Sequence, residues 1–173
     1  MQPTHSSRRI LQPAKTWFIG LSLLLALLLN LVPLGRLPGL PDWVALVLAF
    51  WCVREPRRVG MLSGFALGLV MDAAYGSLLG QHALTYVLLA YAAASLSRRI
   101  LWFGFVQQAV HVLPLLLGAQ LLMVAVRLVA GAEFPGWQYF LSSVTATLLW
   151  YPATFLLLAP QYRSAEKDEN RPI

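Results

Sequence analysis

Six apolar runs, separated by short pieces rich in proline, glycine or charge, occupy most of the chain. A helix that crosses a bilayer needs about 20 apolar residues, and proline and glycine between the runs are typical of turns. The pattern therefore predicts an all-α integral membrane protein with six transmembrane helices, some of them short. The runs are 16–34, 42–53, 59–74, 82–97, 100–127 and 137–160.

Composition supports a membrane protein. Hydrophobic residues make up 58% of the chain and charged residues 12%, whereas an average soluble domain is about 25% charged. The net charge of +6 is spread over short clusters between the apolar runs. Such clusters are typical of membrane topology rather than of a nucleic-acid surface. We expect the lipid bilayer, and no nucleic acid, as a partner.

The basic residues also predict the orientation. With six spans, 11 of the 13 Lys and Arg residues fall on one side, and only Arg36 and Arg127 fall on the other. By the positive-inside rule both termini are cytoplasmic. We therefore predict a cytoplasmic segment at 1–15, a membrane domain at 16–160 and a polar tail at 161–173, expected to be disordered.

The run lengths are uneven. Residues 42–53 would rise only about 18 Å as a helix, which leaves open whether this segment spans the membrane or is re-entrant. Six spans are preferred because the basic turn that follows requires a return to the cytoplasm. Residues 100–127 would reach about 42 Å, too long for a span without tilt or a break at Pro114.

A row of glycines marks the third run. Gly60, Gly64 and Gly68 are four residues apart, and Asp72 occupies the next position of the row. In lipid, small residues on one helix face let another helix approach closely. We interpret the row as a packing surface. An internal helix is the favoured neighbour, and a partner protein remains an alternative.

Asp72 needs hydrogen-bond donors, because an unpaired carboxylate within the membrane is costly and the nearby helix C-terminus disfavours negative charge. The candidates are backbone N–H groups of the turn 73–80, His82 and Arg127. The favoured interpretation is a carboxylate that fixes this turn. A contact with a partner protein and an ion or proton role remain open.

Catalytic motifs are lacking. Asp72 has no second aspartate in the interior of a span, as an intramembrane aspartyl protease would require, and "GMLSG" at 60–64 does not have the G-x-S-G spacing of an intramembrane serine protease. A metal site needs more ligands than the scattered His5, His82 and His111 supply. We therefore predict no enzyme, no cofactor and no metal.

Residues 41–99 resemble the family of the rod shape-determining protein MreD. The resemblance rests on "PDWVALVLAFW" at 41–51, "REPRRVG" at 54–60 and "GFALGLVMDAAYGSLLGQHALTYVLLAYAAASLSRR" at 64–99. The positions that match the family pattern are Gly64, Phe65, Gly68, Asp72, Gly80, Ala83 and Leu84.

The resemblance implies a scaffold of the bacterial cell-elongation complex in the inner membrane. It implies a bitopic MreC-like partner and, indirectly, the MreB filament, a RodA-type glycosyltransferase and its penicillin-binding transpeptidase. The role would be to support lateral peptidoglycan synthesis and rod shape. The family offers no catalytic residue to transfer. Its fold is similar to that of the substrate-binding subunits of energy-coupling-factor transporters.

The shared fold leaves one alternative, a vitamin-type substrate-binding subunit of a transporter, because fold does not determine function. Such a subunit needs an outward pocket with several convergent polar groups. The predicted outer loops, "GRLPGLP", "YGSLLGQ" and "GAEFPG", are short and poor in such groups. This favours the scaffold.

Overall fold

The computed structural model describes residues 14–32 and 39–161, and the regular structure in these ranges is entirely helical. The prediction of six helices is confirmed. Most of the predicted N-terminal segment and nearly all of the predicted tail lie outside the described residues, as do His5 and Arg36. The helices are α1 (Thr16–Leu31), α2 (Trp43–Arg54), α3 (Met61–Tyr75), α4 (Gln81–Trp102), α5 (Phe105–Val129) and α6 (Leu141–Leu158), with 3₁₀ turns at Trp137–Phe140 and Ala159–Gln161.

The short helix α2 forms the centre of the bundle. Every residue from Val44 to Val53 is buried, as expected of a helix that is apolar all round. The helices α1, α3, α4, α5 and α6 all pack against it. The indole N–H of Trp51 donates to Ser22 Oγ of α1 at 2.8 Å. Because α2 is enclosed by protein, its 12 residues need not match the thickness of a bilayer.

The boundary between the fourth and fifth runs differs from the prediction. Arg98 and Arg99 lie inside α4, which continues to Trp102 and is 22 residues long, so this run is not short. The helix α5 is continuous through Pro114 over 25 residues, about 37 Å. Of the two alternatives, the break at Pro114 is absent and tilt remains, because a helix of this length exceeds the bilayer core unless it tilts.

The surface of the described bundle suits lipid. By length and composition, Phe105–Val129 and Trp137–Gln161 could each cross a membrane, and α1, α2 and α3 are shorter apolar helices. Large apolar side chains also cover the outside of the bundle, among them Leu62, Val129 and Leu148. A soluble domain rarely exposes so much contiguous apolar surface.

Candidate functional site

A cavity of about 1290 Å³ lies at one end of the bundle. Successive helices run in opposite directions. The cavity is therefore surrounded by the C-terminal ends of α1, α3 and α5 and by the N-terminal ends of α2, α4 and α6. We call this the cavity end. The basic clusters Arg54, Arg57 and Arg58, and Arg98 and Arg99, lie at the other end of the bundle. Pro41, Asp42 and Trp43 line the cavity, where the late start of α2 leaves room between its longer neighbours.

Asp72 is the buried centre of a polar cluster beside the cavity, with 1% of its surface exposed. Its Oδ1 accepts from the hydroxyl of Ser77 at 2.9 Å, from the backbone N–H of His82 at 2.9 Å and from His82 Nδ1 at 2.7 Å. Its Oδ2 accepts from the backbone N–H groups of Gly80 at 2.8 Å and Ala83 at 3.3 Å. Both oxygens are thus fully used by neighbouring donors.

The backbone explains why Asp72 can reach these donors. Gly76 adopts a left-handed conformation with φ of 59° and ends α3, and Ser77 N–H then donates to the carbonyl of Asp72 at 3.1 Å. The chain turns back, so the carboxylate meets N–H groups at the start of α4 that have no partner within that helix. The positive end of the α4 dipole offsets the unfavourable C-terminus of α3.

Of the two side chains expected to pair with Asp72, one does so in the described structure. His82 donates to the carboxylate, whereas Arg127 is not among its hydrogen-bond or ion-pair partners. Arg127 lines the cavity instead, and its guanidinium has no hydrogen bond or ion pair with another described residue. Arg127 therefore belongs to the cavity rather than to the Asp72 cluster.

The contact with Asp72 also fixes the state of His82. A carboxylate only accepts hydrogen bonds, so the His82 Nδ1 that lies 2.7 Å from it carries a proton. His82 lines the cavity, and its Nε2 has no hydrogen-bond partner among the described residues. The ring of Tyr86 lies edge-on to it at 5.9 Å between centroids. One ring nitrogen thus remains available at the cavity wall.

A second carboxylate, Asp42, was not singled out from the sequence. It caps α2 by accepting from the N–H of Ala45 at 3.0 Å. It also accepts from Asn30 Nδ2 of α1 at 2.9 Å and from the Tyr86 hydroxyl of α4 at 2.8 Å. Tyr75 of α3 donates to the backbone carbonyl of Asn30 at 2.7 Å. The available signal was an aspartate directly before an apolar run, which is a helix N-cap pattern.

The opposite wall of the cavity is also polar. Gln120 of α5 donates to the carbonyl of Tyr139 at 3.1 Å and to the hydroxyl of Ser142. Its amide oxygen accepts from the Ser143 hydroxyl at 2.5 Å. The predicted outer loops are poor in polar groups, but the cavity wall is polar because such groups come mainly from the helix ends.

The glycine row divides into two parts. A Cβ at Gly64 would lie 2.6 Å from the carbonyl oxygen of Tyr86, and one at Gly68 would lie 2.3 Å from Cα of Ala83. These two glycines therefore bring α3 and α4 into backbone contact. Gly60 precedes α3, and its nearest atom would be 3.9 Å away. In the described chain the helix that occupies the groove is α4 of the same protein.

The described residues contain no group of three or more His, Cys, Asp and Glu side chains that could hold a metal ion. Taken together, the fold and the site define a helical membrane protein whose polar side chains gather at one end of the bundle.

A family model described as rod shape-determining protein MreD matches residues 10–159. The Rod shape-determining protein MreD of Haemophilus influenzae (strain ATCC 51907 / DSM 11121 / KW20 / Rd) is 35% identical over 149 residues, which are 82% of this chain and 89% of that protein. The chain belongs to the MreD family, and its role lies in rod-shape determination. No solved structure matches it.

Proposed function

We propose that this chain is a non-catalytic scaffold of the bacterial cell-elongation complex. In this role it binds an MreC-like bitopic protein within the inner membrane and supports lateral peptidoglycan synthesis. The MreB filament, a RodA-type glycosyltransferase and its penicillin-binding transpeptidase are indirect partners. Membership of the MreD family supports the link to rod shape.

The observation that supports a scaffold is the use of the Asp72 and Asp42 carboxylates inside the bundle. Asp72 takes its hydrogen bonds from the α3–α4 turn and the start of α4. Asp42 takes its hydrogen bonds from α1, α2 and α4. A general acid or base must reach a substrate, and these oxygens are engaged in holding helices together. Their arrangement suits a rigid framework.

The proposed topology has six spans and cytoplasmic termini, on the basis of the 11-to-2 distribution of Lys and Arg. The cavity end then faces away from the cytoplasm. Reporter fusions at Gly39, Gly76 and Gly131 should read as external. A cytoplasmic signal at Gly39 would contradict six spans and leave α2 re-entrant or the orientation reversed.

The scaffold is tested by co-purification and by complementation. In a strain that lacks its own MreD, the chain should restore rod shape and retain the MreC-like protein through purification from membranes. Because α4 fills the groove at Gly64 and Gly68, we propose that the partner binds a lipid-facing surface elsewhere on the bundle. Restored shape without any retained partner would contradict the scaffold.

One observation favours the second candidate, a vitamin-type substrate-binding subunit. The cavity offers convergent polar groups at the proposed outer end, as a small-molecule site requires. The fold similarity to energy-coupling-factor transporter subunits is part of this proposal. Uptake of a labelled vitamin that depends on the chain would favour this candidate, and unchanged uptake in its absence would favour the scaffold.

A further inference from the structure

An apolar crevice of about 300 Å³ adjoins the polar cavity. It is lined by Leu78 of the α3–α4 turn and by Ala125, Val126, Val129 and Ala130 at the end of α5. Leu78 and Ala130 line the cavity as well, so the two spaces meet at these residues. The polar cavity and the apolar crevice therefore share part of their walls.

Arg127 lines the cavity and lies within one helical turn of the shared residue Ala130. It follows Val126, which lines the crevice, and it precedes Ala130, which lines both spaces. The C-terminus of α5 stabilises a positive charge here, yet none of the guanidinium N–H donors has a partner among the described residues. Asp42, the other formally charged residue on the cavity wall, already accepts from three donors.

A ligand that complements these walls has two parts. Its charged part is an anion that accepts from the guanidinium in a bidentate way, as phosphate does. A hydroxyl on that part can donate to Nε2 of His82, a residue that lines the same cavity. Its other part is a hydrocarbon chain, because every side chain that lines the crevice is apolar.

We propose that the cavity and the crevice together bind a lipid with an anionic phosphate headgroup. The phosphate pairs with Arg127, a headgroup hydroxyl lies toward His82, and an acyl chain occupies the crevice beside Leu78. The lipid comes from the leaflet at the cavity end of the bundle. This proposal goes beyond the scaffold function and does not depend on it, because it concerns only the walls of these two spaces.

Binding of phosphatidylglycerol to the full-length protein in a nonionic detergent tests the headgroup. We expect Arg127→Gln to weaken binding roughly 10- to 100-fold, the effect of losing a charged hydrogen bond, and Arg127→Lys to weaken it less. Arg99→Gln removes an exposed arginine at the other end of the bundle and should leave affinity unchanged. Equal losses in Arg127→Gln and Arg99→Gln would overturn the assignment.

The acyl chain is tested with two exposed alanines. Ala125 lines the crevice and Ala73 lines neither space, and both are exposed. Ala125→Trp should fill the crevice and weaken the binding of phosphatidylglycerol at least about fivefold (about 1 kcal/mol). Ala73→Trp should leave the affinity for phosphatidylglycerol unchanged.

A soluble phosphate is the competing source of the same headgroup chemistry. If glycerol phosphate binds as tightly as phosphatidylglycerol and Ala125→Trp changes neither affinity, the ligand is a soluble phosphate and the lipid proposal is wrong. Phosphatidylcholine that binds as tightly as phosphatidylglycerol would show that the anionic charge is not recognised, and this would also overturn the proposal. The thermal midpoint of each variant shows that it is folded.

Discussion

Two carboxylates hold the cavity end of the bundle together, and they do so over different distances along the chain. Asp72 accepts from residues 77–83 of the turn and helix that follow it. Asp42 caps its own helix but also accepts from Asn30 and Tyr86, which lie 12 and 44 residues away. The first site is complete within the α3–α4 hairpin, and the second requires three helices to be in place.

The two carboxylates also differ in how deeply they are buried. Asp72 is 1% exposed, so donors that lose it have little access to water. Asp42 is partly exposed and lines the cavity, where water can replace a lost partner. Substitution of the buried Asp72, whose donors lie in one hairpin, should therefore destabilise the protein more than substitution of the partly exposed Asp42, whose donors lie in three helices.

Replacing Asp72 should have the largest effect. Asp72→Leu leaves the N–H groups of Gly80, His82 and Ala83 without an acceptor. We expect a loss of at least about 3 kcal/mol, because each unsatisfied buried donor costs about 1–3 kcal/mol. Asp72→Asn keeps one acceptor oxygen but turns an amide N–H₂ toward other donors, so its loss should be intermediate. Unfolding of the purified protein measures both. Equal losses would contradict this account.

Disturbing the close packing of α3 on α4 should have the second largest effect on stability. Gly68→Ala places a methyl group 2.3 Å from Cα of Ala83, and we expect a loss of about 1–3 kcal/mol from the forced separation. Gly118→Ala in α5 is the matched control, because a Cβ there has no atom within 4 Å. The thermal midpoint should fall only in Gly68→Ala. A fall of similar size in both would mean that the approach of α3 to α4 is not tight.

Loss of the partly exposed carboxylate should be milder than loss of Asp72. Asp42→Ala removes the N-cap of α2 and the acceptor of Asn30 and Tyr86, and we expect about 1–2 kcal/mol, the upper part of the range for a lost cap. Chemical unfolding of the two variants in parallel gives the ranking. A loss greater than that of Asp72→Leu would reverse the comparison of the two sites.

The smallest effect is expected from a single hydroxyl. Tyr86→Phe removes the hydrogen bond to Asp42 at 2.8 Å and leaves the buried ring in place, so a loss of about 1 kcal/mol is expected. Tyr91→Phe is the control, because Tyr91 is an exposed tyrosine of the same helix. If both variants unfold at the same midpoint as the original chain, the Asp42 network contributes little to stability.

The sequence was informative where a pattern is local. Hydrophobic runs predicted six helices, and the spacing of Gly64, Gly68 and Asp72 with the turn that follows indicated a packed face and a carboxylate in need of donors. Both features depend on residues within one hairpin. A local pattern is less informative at Arg98 and Arg99, because a charged pair predicts the end of an apolar helix, whereas α4 continues to Trp102.

Features that depend on how helices assemble were not predicted. Asp42 has a recognisable N-cap position, but nothing in its neighbourhood indicates that Asn30 and Tyr86 converge on it. The cavity is built from the ends of six helices and from the late start of α2. The composition of the loops therefore does not indicate a polar pocket, because loop residues form only part of the cavity wall.

The shape of cells that carry Asp72 variants tests whether Asp72 serves the structure or a chemical step. Asp72→Asn and Asp72→Leu are each expressed in a strain without its own MreD, with protein level and retention of the MreC-like protein followed in parallel. This account predicts that Asn preserves much of the rod shape and Leu loses it. If Asn fails as completely as Leu while both proteins are present at normal levels, the carboxylate must titrate or bind an ion, and the structural account is wrong.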